Sequence, residues 1–368
     1  MQQMIHQSTL KFWRKHNLAH IILRPLSWLF YGISLWRRQR QKASAYTATV
    51  PIIVVGNIGV GGNGKTPFVV SLVRILKEAG YRVGIVSKGY GRRYPRTTML
   101  VDHSMPASLV GDEVAMMWRR TETVTALASK RSDACRMLEA YGCDVIVCDD
   151  GLQDYSINRD IEVLMYTDEG LGNQQLLPIG PLREPLNRRK SVDYCVRQSI
   201  GQPQKNEQQH LMNYHIDSIY HHATEEIMPR AKWQTMVKPV AISAIGNPSR
   251  FQRLLMDANI EAEAINLPDH ANIANEMLQQ HSQSTILITE KDAIKLTSRT
   301  QKNIWVVSIR VSFNTAILKS IAHRVSAHHT NRNKKQSSHP INDQGIHLGK
   351  PPASAAKQAT TNNHSTIA

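Results

Sequence analysis

Short, wholly apolar runs alternate with amphipathic stretches through most of this chain. VPIIVV (50–55) is rich in β-branched residues and ends against a glycine, which predicts a buried strand. The segment after the next loop, TPFVVSLVRILKEAG, carries apolar residues at 69, 70, 72, 73 and 76, a helical stripe. Pro67 falls in its first turn, where no N–H is missed, and Gly80 closes it. RVGIVS (82–87) reads as a second strand. Strand, loop, helix and strand make a βαβ unit, which predicts a parallel sheet and an α/β fold class. CDVIVCDD (143–150) and IEVLMY (161–166) predict further buried strands. After about residue 235 the alternation resumes with KPVAISAIG, STILIT (284–289) and NIWVVSI (303–309).

The pattern breaks in three places. Between 198 and 235 the chain is polar and rich in histidine. From about His328 it is dominated by Asn, Gln, Ser, Thr, His and Lys, with too little apolar surface to order itself. Near the start, LAHIILRPLSWLFYGISLW (18–36) is apolar but interrupted by His20, Arg24, Pro25 and Ser27. Arg14 and Lys15 precede it, and Arg37, Arg38, Arg40 and Lys42 follow. A cleaved signal peptide would be followed by small residues. Trp13, Trp28, Tyr31 and Trp36 suit the headgroup zone of a bilayer. This stretch reads as an interfacial segment on an anionic membrane face, against an apolar helix packed on the body or a true span. The expected division is 1–45 for the amphipathic interfacial segment, 46–200 for a nucleotide-binding domain and 201–235 for a polar connection. A smaller α/β domain contributing to the cleft follows at 236–325, and a disordered polar tail at 326–368.

GNIGVGGNGKTP (56–67), between the first strand and its helix, fits two glycine patterns. Gly59, Gly61 and Gly64 match G-x-G-x-x-G of dinucleotide sites. That reading requires an acid about 20 residues on, after the second strand, for the ribose hydroxyls. The strand ends Ser87-Lys88, with no acid. Gly59, Gly64, Lys65 and Thr66 also match G-x-x-x-x-G-K-[ST], the phosphate-cradling P-loop. Here Lys65 would reach the β- and γ-phosphates and the Thr66 hydroxyl would bind Mg²⁺. Backbone N–H groups along Val60, Gly61, Gly62, Asn63, Gly64 and Lys65 would face phosphate oxygens at a helix N-terminus. The metal also needs an acid at the end of a neighbouring buried strand, and Asp149-Asp150 after DVIVC supply one or both. The expected fold is therefore a P-loop NTPase-type parallel sheet flanked by helices, with the smaller α/β domain and the N-terminal membrane-associated helix. A kinase, a hydrolysing switch or motor, and an inert membrane module all remain open at this point.

The net charge of +16 suggests a polyanionic partner: nucleic acid, an anionic membrane face or a phosphorylated substrate. The four cysteines, Cys135, Cys143, Cys148 and Cys195, form no C-x-x-C and no disulfide framework, in keeping with a reducing cytosol.

Finer motifs narrow the choice. VVGNIGVGGNGKTP (54–67), SKGYGR (87–92), GDE (111–113), RSDA (131–134), DDGLQ (149–153), GNQQLLPIGPLREPL (172–186), PDH (268–270) and TEKDAIKL (289–296) occur in this order. With that order and spacing the chain resembles the tetraacyldisaccharide 4′-kinase family, P-loop lipid kinases of the lipid A pathway. The resemblance implies transfer of the ATP γ-phosphoryl group to the 4′-hydroxyl of a tetraacylated glucosamine disaccharide 1-phosphate. It implies a monotopic enzyme, dependent on ATP and Mg²⁺, on the cytoplasmic face of the bacterial inner membrane. Its partners would be that lipid and an anionic membrane surface, with no nucleic acid and no obligate protein partner.

By the same resemblance, Glu184 of GPLREP is a further Mg²⁺ ligand, and Asp112 of GDE pairs with His270 of PDH. A histidine whose second nitrogen is held by a carboxylate is a competent base for a sugar hydroxyl. The two lie in different expected domains, so the pair would form across the cleft. From the residues alone Asp112 reads equally as a helix N-cap before EVAMMW, and His270 as a capping or buried histidine. Arg131 would stabilise charge on the transferring phosphoryl group, or is a surface arginine. The chain departs from the family in four places. Asp154 stands where histidine is usual in DDGLQH, Val114 where proline follows GDE, Ala271 where a second histidine often follows PDH, and Lys88 where arginine is usual in SKGYGR. An extra acid near phosphates is unfavourable unless it meets Mg²⁺ or a basic group, so a role for position 154 is open.

Overall fold

The computed structural model describes residues 12–13, 18–60, 64–102, 104–199, 211–269, 271–296, 303–313 and 315–337. The chain divides into two compact units, Met1–His329 and Thr330–Ala368, and the fold and site lie in the first. Its strands are β1 (Ile52–Gly56), β2 (Val83–Ser87), β3 (Met99–Val101), β4 (Thr125–Leu127), β5 (Val145–Asp149) and β6 (Ile161–Tyr166). They continue with β7 (Tyr194–Ser199), β8 (Leu211–His221), β9 (Val240–Ser243), β10 (Glu263–Asn266), β11 (Ile286–Thr289) and β12 (Ile304–Phe313). All twelve join one sheet in the order β10-β9-β11-β12-β8-β7-β6-β1-β5-β2-β4-β3. Neighbours run parallel except β12 with β8 and β3 with β4. The fold is thus mixed α/β around a large, mostly parallel sheet.

The helices that matter here are α1 (Leu18–Ala43), α2 (Lys65–Glu78), α3 (Asp112–Thr121), α4 (Arg131–Tyr141), α5 (Pro248–Asp257), α6 (Glu290–Ala293) and α7 (Thr315–Ser337). The period of two along a strand decides which layer each residue meets. Ile53 and Val55 of β1 pack with Phe68, Leu72 and Leu76 of α2, whereas Ile52 and Val54 pack with Cys135 and Leu138 of α4. A sheet covered on both faces explains why β1, β2 and β5 at its centre are apolar runs rather than alternating ones.

β8 runs through the stretch expected to be only a polar connection. Its apolar residues are spaced out among polar ones, and Met212, Ile216 and Ile219 are buried while the intervening side chains are more open. It pairs with β7 on one side and β12 on the other, so the two α/β regions share one sheet. α7 continues to Ser337, beyond the point where order was expected to end. Ile317, Leu318, Ile321 and Val325 anchor it in the core, and a nucleated helix extends at small cost per residue. The rest of the expected tail, 338–368, lies outside the described residues.

No helix among the described residues is long and apolar enough to cross a membrane. α1 rests on the body through one side: the Ser27 hydroxyl donates to the Leu176 carbonyl (3.2 Å), and the Arg38 guanidinium lies 4.5 Å from the Tyr155 ring centre. Elsewhere it exposes large apolar groups, among them Ile22 at 77%, Trp28 at 68% and Trp36 at 60%.

Candidate active site

In the parallel part of the sheet the strands end along one edge, and open α/β sheets bind ligands outside their carboxyl ends. β1 leads there into the glycine loop, and β5 into Asp149-Asp150; Val55 and Asp149 are register partners. Gly61, Gly62 and Asn63 lie outside the described residues. Gly59 bridges to Leu182 and the Val60 N–H donates to the Pro181 carbonyl (2.9 Å), so the GPLREPL segment backs the loop. Gly64 has φ +56°, and a Cβ there would run into the Tyr214 hydroxyl of β8. That hydroxyl sits 3.3 Å from the Gly64 carbonyl and 3.0 Å from Gln198 Oε1, and Arg250 of α5 lies 4.8 Å from the ring centre.

Lys65 opens α2 and Thr66, nearly buried, follows it. The Lys65 ammonium pairs with Asp150 Oδ1 at 3.2 Å, and Arg183 reaches the same oxygen at 3.5 Å. Burial works against the Asp150 charge, but Lys65 and Arg183 outweigh it and hold the carboxyl below its usual range. Asp149 next door differs. Burial, with the Glu113 carboxylate adding to it, pushes its carboxyl up to about 7, and its Oδ1 is buried with no hydrogen-bond partner among the described residues. An orphaned buried carboxylate oxygen at the end of β5 and a threonine hydroxyl in the first turn of α2 are both oxygen donors suited to a hard cation such as Mg²⁺.

Glu184 does not join that set in this structure. Its carboxylate accepts from the Tyr155 hydroxyl (3.0 Å) and from Arg188 Nε (3.1 Å), and Arg188 also pairs with Glu162 at 2.5 Å. The carboxylate is turned to the buried Arg188 guanidinium. Among the described residues no group of three His, Cys, Asp or Glu side chains is assembled as a metal site.

Arg131 is not a surface arginine: it is 2% exposed. Its Nη2 donates to the carbonyls of Asp149 (2.9 Å) and Asp150 (2.7 Å), and its Nη1 to Asp154 Oδ2 (2.8 Å). The guanidinium braces the aspartate turn, in which Asp150 takes φ +48°. Asp154 also accepts from the Ser156 hydroxyl (2.5 Å) and lies 3.9 Å from Lys88. The acid that replaces the usual histidine thus meets two basic groups.

Gly111, not Asp112, is the N-cap of α3; Asp112 is its first helical residue. His270 lies outside the described residues, but its chain neighbours do not. Lys295 Nζ lies 3.5 Å from Asp112 Oδ2 and donates to the carbonyl of Ala271 at 3.1 Å. Lys291 Nζ lies 3.6 Å from Glu113 and 3.2 Å from Asp269. The GDE and PDH segments, far apart in the chain, are therefore neighbours, joined through two lysines of TEKDAIKL. The sequence reading gave these lysines no role, although their i, i+4 spacing after Thr289 placed both on one side of a helical turn. Arg183, Tyr214 and Arg250 were missed for a plainer reason: only the folded sheet brings them to the loop.

Residues 19–326 match the family described as tetraacyldisaccharide-1-P 4′-kinase. The tetraacyldisaccharide 4′-kinase of Vibrio campbellii is 36% identical over 330 residues, covering 86% of this chain and 96% of that one. The Methylobacillus flagellatus enzyme of the same name is 35% identical over 324 residues, 85% and 94%. A crystal structure of LpxK from Aquifex aeolicus in complex with ATP superposes with a TM-score of 0.68 at 26% identity, covering 84% of this chain and 99% of that one. A family model matched over most of the chain and relatives more than 30% identical along nearly their whole length are explained by common descent: the chain belongs to the tetraacyldisaccharide-1-P 4′-kinase family.

Proposed function

We propose that this protein transfers the γ-phosphoryl group of ATP to the 4′-hydroxyl of a tetraacylated glucosamine disaccharide 1-phosphate, the lipid A precursor. The observation that carries the proposal is a pair of constellations, Lys65 with Asp149-Asp150 and the GDE segment with the PDH segment, linked by Glu113, whose charge acts on Asp149. The glycine loop acts as a P-loop. Lys65 exchanges Asp150 for the β- and γ-phosphate oxygens, and Asp150 remains partnered by Arg183. Thr66 and Asp149 would hold Mg²⁺, with Asp150 near; Glu184 would join only by leaving Arg188. Bound there, Mg²⁺ supplies charge neutralisation between the phosphates.

Asp112 and His270 form the base. The carboxylate orients the imidazole, the imidazole takes the proton of the 4′-hydroxyl, and the hydroxyl oxygen attacks the γ-phosphorus as ADP leaves. Arg131 serves indirectly, by fixing the turn that carries both aspartates. The exposed apolar side of α1, with Arg37, Arg38, Arg40 and Lys42 beyond it, lies in the interface of the cytoplasmic leaflet of the inner membrane. There the acyl chains stay in the bilayer while the sugar reaches the cleft. Part of the +16 charge faces anionic lipid and the substrate's own phosphate.

The test offers purified protein radiolabelled ATP, Mg²⁺ and the tetraacyldisaccharide 1-phosphate in mixed micelles. Label in the lipid, absent with Lys65→Ala, supports the proposal; ATP hydrolysis with no labelled lipid would replace it with a hydrolase.

A further inference from the structure

α6 and the turn after it carry charges that the reaction above does not use. At its start, Glu290 pairs with Arg120 of α3 at 3.5 Å, and Arg120 also donates to the Ile309 carbonyl of β12 at 2.9 Å. One residue on, Lys291 sits between Glu113 and Asp269. Lys295, only 5% exposed, sits among Asp112, Asp292 (3.2 Å) and the Ala271 carbonyl. Asp292 is itself fully buried and fixed by Thr289 Oγ1 (2.7 Å) and the Ala244 N–H (3.2 Å), so Lys295 is anchored to β9 and β11. Opposite ends of α3 are thus tied to one short element, and each lysine of that element spans GDE and PDH.

We infer that Lys295 and Lys291 are positioning residues that assemble the base of this enzyme. Lys295 holds the carboxylate of Asp112 and the carbonyl of Ala271 at one cation, and so ties the GDE segment to the chain that carries His270. Lys291 makes a second tie between the same segments, from Glu113 to Asp269. A buried cation with three oxygen partners has little freedom, and errors of about 1 Å at a reacting group cost on the order of 100-fold in rate. The inference rests on the proposed Asp112–His270 base. It goes beyond that by giving the TEKDAIKL segment a purpose: it is the jig on which the two halves of the base are registered.

The experiment uses the full chain in the micelle assay. Lys295→Met should lower kcat on the order of 100-fold with KM for ATP within about twofold, and Lys295→Arg should recover part of the loss. Lys291→Met, at a more open pair, should lower kcat about tenfold with the same split. A separate readout needs no activity. Cysteines introduced by Glu113→Cys and Asp269→Cys should be joined efficiently by a short bis-maleimide, and Lys295→Met should reduce that yield several-fold. Unchanged kcat and unchanged cross-linking in Lys295→Met would overturn the inference while leaving the kinase reading intact. A loss of kcat that came only with general unfolding, unrescued by arginine and absent in Lys291→Met, would also overturn it. Failure of the wild-type protein to phosphorylate lipid would instead remove the kinase reading on which it rests.

Discussion

At the scale of single residues, charge compensation decides what each acid of the site can do. Asp150 is held ionised by Lys65 and Arg183, whereas Asp149, adjacent in sequence, is buried with an unpartnered oxygen. Two neighbouring aspartates that look alike in DDGLQ therefore have different work, and only the fold separates them. Lys65→Ala should abolish phosphoryl transfer while leaving vesicle binding unchanged in a sedimentation assay, because Lys65 opens α2 beside Asp150 and is no part of the exposed apolar side of α1. Asp154 answers a question left by the sequence. Its acid is tolerable because Arg131 and Lys88 flank it. Asp154→Ala would leave the buried Arg131 guanidinium without its carboxylate, a change that typically costs about 3 kcal/mol or more. Thermal unfolding should show a fall in Tm of several degrees, and a Tm equal to that of wild type would mean the pair is immaterial. His270→Ala should lower turnover far more than ATP affinity; loss of ATP binding alone would contradict its assignment as base.

Among elements, legibility followed burial. The strands β1, β2, β5, β6, β9, β11 and β12 were readable because each is a continuous apolar run capped by turn residues. β8 was not, because one apolar residue in three or four carries its burial and Asn213, His215, Asp217 and Ser218 lie among them. β3 and β4, three residues each, are too short to show any period. α2 was readable from its stripe, and Phe68, Val69, Leu72, Val73 and Leu76 are all fully buried. Phe68→Ala should cost about 3–5 kcal/mol in denaturant unfolding with the slope unchanged. α1 presents the opposite case: its apolar side is exposed. Ile22→Glu combined with Trp28→Glu should weaken binding to anionic vesicles several-fold while ATP affinity stays the same. Undiminished binding would place the membrane contact elsewhere.

Across the whole molecule, one sheet carries the glycine loop in one region and the TEKDAIKL segment in the other, with β8 between them. The glycine pattern, the second strand's missing acid and the strand-end aspartates could be read locally, since each is a short pattern at an element boundary. The acceptor side could not, because the proximity of GDE and PDH depends on twelve strands being in order. The motifs signalled the family; the two lysine bridges supply a physical reason for motifs so far apart to occur together. The central claim is regiospecific phosphoryl transfer, and phosphorus–proton correlation NMR of the lipid product tests it most directly. The account predicts a second phosphomonoester, coupled to the proton on C4′ of the distal glucosamine, formed with stoichiometric ADP and lost in Lys65→Ala. Phosphate attached at any other hydroxyl, or ADP released with no new phosphomonoester on the lipid, would contradict it.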